Sequence, residues 1–542
     1  MKKIRIIVLL LALTLVLQAC SSKSNTDVVP SSSENPKENQ ETVSLSAFSA
    51  QSVIIEDYDN NDLTMLLEEK FNVDIQWTLA PSGEATLEKQ NLLLASGEYP
   101  DVFFGGELNQ NDQIKYGTGG MLIPLNDLID EYGPNIKIAF EQSPYILKGV
   151  TALDGNIYGL PGLEECYHCD YSQKMWINKE WLNNLNLPMP TTTDELYTTL
   201  LAFKDNDPNG NGEKDEIALS GCTDGWNSNP INFLMCSFIY STDSSVLTLN
   251  NGKVDISANK PEWKEGLAYI RKLYAEGLID PQAFTQNYEG LQGIADNPDT
   301  VIVGAFTQGC CVPTTGEDGR WTQYDVVTPL KGPNGMQLTG YFGGNVGDAL
   351  FAITDKANEE QQIAAIKIVD YLFSQEGSLD SMYGPKDIGW WDPKPDELGI
   401  DGKDALYSAV EPYQREDKRS VTWDIGLKYT PTELFNGRAQ EQDITVPSGY
   451  ETFLSVMTNK IAPFKPAETF PAAIWYKPEN AQQLAQIRTD INNYIKTNSA
   501  QFVIGEKNLD SDWNAYVEGF NGLGVEEYIR ASQEAYDQQY KN

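Results

Sequence analysis

From residue 51 to residue 106 the sequence keeps switching between a two-residue and a helical side-chain period. QSVII (51–55) reads as a strand, DNNDLTMLLEEKF (59–71) as a helix and NVDIQWTLA (72–80) as another strand. TLEKQNLLLASGEYP (86–100) is a helix stopped by Gly97 and Pro100, and a short buried strand, Asp101 to Phe104, follows it. The alternation returns downstream. In KPEWKEGLAYIRKLYAEGLID (260–280), Trp263, Leu267, Ile270 and Leu273 fall at helical spacing and Gly277 ends the run. ALFAITDKANEEQQIAAIKIVDYLFSQEG (349–377) is a strand and then one long helix ending near Gly377, with Ile363, Ile366, Val369 and Leu372 or Phe373 inward. Strands alternating with helices over this length predict an α/β fold with mostly parallel sheets. No internal repeat points to a solenoid.

The first residues bear on the compartment. Lys2, Lys3 and Arg5 precede an apolar run from Ile6 to Leu17, too short to span a bilayer but suited to a signal peptide. It ends in LQAC (17–20), which looks like the bacterial lipobox. That likeness implies a signal peptide at 1–19, lipids on Cys20 and a protein anchored to the outer face of the cell membrane. Residues 20–42, rich in Ser, Asn, Glu and Pro, read as a flexible tether. The rest is long enough for two or three domains. A net charge of −39 argues against nucleic acid or anionic polymers as partners. Besides Cys20 there are Cys166, Cys169, Cys222, Cys236, Cys310 and Cys311, and export permits disulfides among them.

DNDPNGNGEKDE (205–216) carries an oxygen-bearing side chain at nearly every second position. Such spacing suits calcium, which takes six to eight oxygens from carboxylates, amides and carbonyls. It follows a helix announced by Thr192 and Glu195 at capping-box spacing, with Leu196, Leu200 and Phe203 on one face. Two registers compete. One starts at Asp205 and fits the EF-hand formula with Glu216 last, but it encloses Pro208, and no helix clearly follows. The other starts at Asp207, uses Asn209, Asn211, Asp215 and Glu216, takes the carbonyl of Glu213 and turns at Gly212. The second is preferred. A polar turn without metal is the alternative. Neither register leaves an open position for chemistry, so the ion would be structural.

LLLASGEYPDVFFGG (92–106), KYGTGGMLIPLNDLI (115–129), LDGNIYGLPG (153–162), KMWINKEWLNNLNLPMPTTTDEL (174–196), DPNGNGEKDEI (207–217) and FVIGEKNLDSDWNAYV (502–517) occur in that order. Together they resemble the landmarks of lipid-anchored extracellular solute-binding proteins of ABC importers, in the large sugar-binding, LipO/LplA-like branch. The resemblance implies a two-lobed periplasmic-binding-protein-like fold of type II, with a hinge and an interlobe cleft. On the family layout the first lobe is 43–162 plus 347–425, and the second is 163–346 plus 426–542. YGLPG (158–162) and GGNVGDALFAI (343–353) look like hinge crossings. The resemblance also implies a structural calcium in the second lobe, in the register beginning at Asp207, an oligosaccharide ligand, a membrane permease partner and a monomeric receptor.

A sugar ring offers apolar faces and a rim of hydroxyls, so aromatic rings beside carboxylates and amides are the candidates. GWWDPKPD (389–396) offers Trp390 and Trp391, which cannot easily both enter one core. TGYFGG (339–344) offers Tyr341 and Phe342, and DGWNSNP (224–230) offers Trp226 and Asn227. Glu107 and Asn109 follow a strand at its C-terminal end, where α/β sheets bind ligands. Trp176, between Met175 and Ile177, reads instead as core. LEECYHCDY (163–171) departs from the family pattern. It adds Tyr167, His168, Asp170 and Tyr171, with the chain's single histidine inside a C-x-x-C. Zinc, a redox dithiol and a loop-stiffening disulfide, or cysteines paired elsewhere, remain open for Cys166 and Cys169. The pairing of Cys310 and Cys311 also stays open. A non-enzymatic receptor is the leading expectation. Alternatives are a surface glycoside hydrolase, which needs two carboxylates across a bond, and a binder of a non-sugar ligand such as a peptide.

Overall fold

The computed structural model describes residues 41–242, 246–316, 319–411 and 420–541. The expected signal peptide, Cys20 and the tether as far as residue 40 lie outside the described residues. Residues 42–542 form one compact unit. Among the described residues no helix is long and apolar enough to cross a membrane.

In chain order, the strands that organise the fold are β1 (Val43–Gln51), β2 (Val73–Pro81), β3 (Val102–Leu108), β4 (Leu163–Glu164), β5 (Met175–Asn178), β6 (Ala305–Thr307), β7 (Tyr324–Val326), β8 (Ala349–Ile353) and β9 (Tyr429–Thr430). The first sheet has the order β8-β3-β1-β2. β1 runs parallel to β2 in unbroken register from Val43↔Val73 to Gln51↔Pro81, β3 is parallel to β1, and β8 closes the edge antiparallel. The strand expected at QSVII therefore lies upstream. Pairing with β2 stops at Gln51, and the chain then turns, leaving Val53 exposed and tucking Ile55 inward. The helices on this sheet match their sequence signals. Asn61 caps Asp62–Phe71 by accepting from Leu63 N and Thr64 N, and Glu84–Ser96 stops where Gly97 adopts φ +79°.

The second sheet, β6-β5-β7, is antiparallel, contrary to the expectation of mostly parallel sheets. Its central strand β5 is buried along its whole length, and its partners come from segments far along the chain. Trp176 is core as expected: it stacks on Phe453 and donates its Nε1–H to the Gln308 carbonyl at 2.9 Å. Pro261–Ala275 buries Trp263, Leu267, Ile270 and Leu273 as read from the sequence. Thr192 caps Thr193–Asp205, but the Glu195 carboxylate accepts from Thr191 rather than closing the box on Thr192. The single helix expected up to Gly377 is two, Glu359–Leu372 and Gln375–Tyr383, because Ser374 starts a new helix by accepting from Gly377 N. Ile363 is only half-buried.

Two large hydrophobic cores result. One gathers Leu45, Phe104, Phe351 and Trp423 around the first sheet, and the other gathers Met175, Phe203, Leu267, Ile491 and Tyr516. Within the first core, β4 and β9 pair in parallel and Leu160 bridges to Phe351. A side chain at Gly162 would collide with the Gly426 carbonyl, so two backbones touch there without room for a Cβ.

Candidate ligand-binding wall

The segment that leaves β4 folds into a tight turn closed by a Cys166–Cys169 disulfide, with Cys169 N and Asp170 N both donating to the Cys166 carbonyl. Of the readings left open, the disulfide is the one found. Oxidised sulfurs are not the thiolates that zinc requires. Cys222, Cys236, Cys310 and Cys311 are unpaired.

Nearly every side chain of this turn reaches a residue far along the chain. Tyr167 OH donates to Asn459 Oδ1 at 2.9 Å. His168 Nε2 lies 3.3 Å from Glu451, Glu451 pairs with Arg438 at 3.5 Å, and Arg438 pairs with Glu411 at 2.5 Å. Burial opposes the Glu451 charge, but His168 and Arg438 outweigh it and hold the carboxyl below its usual range. Tyr167, Tyr171 and Tyr341 form a run of rings with centroids 5.7 and 5.2 Å apart, and Lys465 Nζ sits 3.5 Å above Tyr341. The Asp170 carbonyl accepts from Phe342 N at 2.8 Å. Burial pushes the Asp170 carboxyl up to about 6, against the pull of Lys465 and with that of Glu165. The Tyr171 and Tyr341 phenols are raised to about 12, chiefly by burial.

Behind the rings, fully buried Lys174 donates to the carbonyls of His168 (2.8 Å) and Gly309 (3.2 Å), and burial draws its pKa down to about 7. Gly309 N donates to the Trp226 carbonyl at 2.8 Å, and the Trp226 indole lies so close over Gly309 that a Cβ there would collide with it. Trp226 is 43 % exposed, whereas Asn227 is buried and donates to Ser172 Oγ at 2.8 Å. The turn 163–174, the loop 224–228, residues 308–311 and residues 341–342 thus form one wall. Glu411 links it to a cavity of about 200 Å³ also lined by Ile54, Asp424, Gly426 and Lys428.

Other candidates are placed apart. Trp390 is buried with its Nε1–H donated to Asp380 at 2.8 Å, while its neighbour Trp391 faces out from a two-residue strand paired with Ser408–Ala409. Asn109 accepts from Asn111 N and Asp112 N as the cap of the helix Gln110–Thr118, and the Glu107 backbone is clasped by Gln90. Sequence reasoning missed Lys174, Arg438, Glu451, Asn459 and Lys465. Lys174 opens the landmark at 174–196, and the other four sit in no motif singled out in the sequence.

The loop 207–216 is wired to itself. Asp207 accepts from Asn211 N and Gly212 N, Asn209 and Asn211 donate to Asp215 at 3.0 Å, and Asn211 accepts from Glu213 N. Asp205 ends the preceding helix, while Gly210 (φ +73°) and Gly212 (φ +81°) both adopt the left-handed turn, so the glycines fit either register. Glu216 Oε1 is buried with no partner, and burial, with Asp215 and Asp207 nearby, raises this carboxyl. An orphaned carboxylate oxygen beside two further acids fits a cation.

A sequence profile described as bacterial extracellular solute-binding protein matches residues 50–378, more than half of the chain. The chain is 29 % identical to the fructooligosaccharide ABC transporter substrate-binding protein FusA of Streptococcus pneumoniae, over 99 % of this chain and 98 % of that one. It is 25 % identical to the lipoprotein LipO of Bacillus subtilis over 83 % of both. It also resembles solved structures of FusA: one with kestose (TM-score 0.73, 27 % identity, 92 % of this chain and all of that one), and an EF-hand mutant with fructo-nystose (TM-score 0.73, 26 % identity, the same coverage).

Proposed function

The chain belongs to the bacterial extracellular solute-binding proteins, and on that footing we propose that it is a surface receptor that captures an oligosaccharide by lobe closure and delivers it to an ABC permease. The observation that carries the reading is the Tyr167–Tyr171–Tyr341 run with Asp170 at its edge: rings for sugar faces and polar groups for hydroxyls. Similarity to FusA, named for fructooligosaccharides, supports that ligand class. The lobes are taken as 43–162 plus 347–425 and 163–346 plus 426–542. A ligand that touches both lobes only in the closed form shifts the population toward it. His168, Phe342, Trp226 and Asn227 are assigned to the ligand face, and Trp391 and Glu107, which lie apart from this wall, to a surface that lobe closure would bring to it. Trp390 and Asn109 are left out, since a core and a helix cap already use them.

Calcium is assigned to Asp207, Asn209, Asn211, the Glu213 carbonyl, Asp215 and Glu216. When bound, it would neutralise the acids and fix the loop. The EF-hand for which a FusA structure is named supports a calcium ion without choosing between the registers. Lipidation of Cys20 and a place on the outer face of the cell membrane complete the proposal, in keeping with the family and with LipO.

The test is thermal stability of the chain, with calcium, against a panel of plant and host oligosaccharides including kestose and fructo-nystose. Each hit is then checked by mass spectrometry. A sugar at 100 times its Kd adds about 2.7 kcal/mol. A melting shift with the glycan intact is expected. A cleaved glycan, or no shift across the panel, contradicts the reading.

A further inference from the structure

The disulfide turn gathers three side chains whose metal-binding capacity the proposed function leaves unused. Cys166, His168 and Cys169 each offer one ligand atom, and these atoms lie within 4.8 Å of one another. Two cysteines with two residues between them have the spacing at which zinc sites take a pair of thiolates. His168 Nδ1 lies 3.9 Å from Cys169 Sγ. Sulfur and nitrogen donors on one tetrahedral zinc stand about 3.5–3.8 Å apart, given bonds of about 2.0–2.3 Å.

The other ring nitrogen is already engaged. His168 Nε2 lies 3.3 Å from one oxygen of the Glu451 carboxylate, and Arg438 lies 3.5 Å from the other. A carboxylate there keeps the ring proton on Nε2 and leaves the Nδ1 lone pair for an ion, as in metal-binding histidines generally. Ile400 and Phe435 pack with Cys166, and Cys169 packs against the same cluster, so the sulfurs have an apolar shell. His168 and Cys169 keep partial exposure, through which an ion can enter.

The turn does not depend on its S–S bond alone. Cys169 N and Asp170 N donate to the Cys166 carbonyl at 3.0 and 3.1 Å, and Ser172 N donates to the Cys169 carbonyl at 3.1 Å. Lys174 Nζ holds the His168 carbonyl at 2.8 Å. With the S–S bond open, these hydrogen bonds keep both sulfurs beside the imidazole.

We propose that the reduced turn is a zinc site, with Cys166 Sγ, Cys169 Sγ and His168 Nδ1 as ligands, water in the fourth position and Glu451 positioning the imidazole. A dithiol reductant opens the site. Its two sulfurs join in a new disulfide, and its two protons pass to Cys166 and Cys169. Zinc then binds both sulfurs as thiolates and releases those two protons to solvent. The turn is thereby closed in either redox state. The site is independent of the sugar ligand and of the 207–216 loop.

The test uses the chain with calcium present, oxidised or reduced by dithiothreitol and desalted without air. Zinc is titrated against a chromophoric chelator. Cys222, Cys236, Cys310 and Cys311 are thiols in both forms, so they cancel in the difference. One further zinc ion per chain is expected after reduction, with Cys166 and Cys169 both protected from iodoacetamide as read by peptide mass spectrometry. Equal uptake by the two forms, or uptake without protection of these two cysteines, overturns the site. Cobalt in place of zinc gives a readout that needs no variant: a tetrahedral thiolate spectrum is expected, and an octahedral one contradicts the ligand set. His168→Ala and Glu451→Gln should each weaken binding of the added ion roughly tenfold or more. Unchanged affinity in the first removes the imidazole from the site, and in the second it removes the positioning role.

Discussion

Two polar loops of similar length behave in opposite ways. Residues 207–216 bond mostly to one another: Asp207 to the amides at 211 and 212, Asp215 to the side chains at 209 and 211. Residues 163–174 bond outward, to positions 309, 342, 451, 459 and beyond. The first loop is a self-contained polar cage whose one loose end is a buried carboxylate oxygen, the feature on which the proposed calcium site rests. The second is held by its disulfide and by partners far along the chain, with Tyr171 buried and the Tyr167 and Tyr341 rings half-buried beside it. A local loop can be a metal site by itself. A ligand wall needs the tertiary fold to assemble it.

That contrast can be broken in four places. The largest expected effect comes from Lys174→Met, which leaves the buried His168 and Gly309 carbonyls unpaired. At about 1–3 kcal/mol for each orphan, urea unfolding should show a loss of roughly 2–5 kcal/mol, while the response to calcium is kept. Next is calcium. At 100 times its Kd it should stabilise the chain by about 2.7 kcal/mol. Glu216→Gln should cut the melting shift and leave sugar affinity unchanged; an equal loss of both would erase the distinction between the loops. Third, alanine at both Tyr167 and His168 should weaken sugar binding about tenfold, or about 1.4 kcal/mol by calorimetry, and unchanged affinity would remove the turn from the wall.

The smallest effect is on pH. Burial makes the Asp170 carboxyl hold its proton up to about 6 in the fold, against an ordinary value of 3.8. The folded state therefore binds more protons than the unfolded state between those values, and stability contributed by this group falls as pH rises from about 4 to 6. Asp170→Asn should flatten that limb of the stability–pH curve. An unaltered slope would mean the carboxyl is not held in this way.

The same contrast explains what could be read from the chain. The self-bonded polar loop at 207–216 was legible because its contacts span only a few residues, and the helix at 261–275 because Trp263, Leu267, Ile270 and Leu273 repeat at its own period. β1 was misplaced because its Ser and Ala residues are weak strand formers, leaving QSVII, with three β-branched residues in a row, as the stronger local signal. The antiparallel second sheet was hidden because β6 and β7 are three residues each and lie more than 120 residues beyond β5. Trp390 and Trp391 could be separated only by knowing that they sit on a strand, where neighbours face opposite ways. Asn109 was read as a pocket edge, but its side chain serves a helix N-terminus. Lys465 and Asn459 reach the wall from a stretch whose sequence carries no trace of that role.

The most direct test of the central claim is calorimetric titration of wild type and Tyr341→Ala with the first oligosaccharide that shifts the melting temperature. The account predicts a single saturable binding event in wild type and a loss of at least tenfold in the variant, with its calcium response intact. Equal affinity in the two proteins would contradict the claim that the Tyr167–Tyr171–Tyr341 wall holds the sugar.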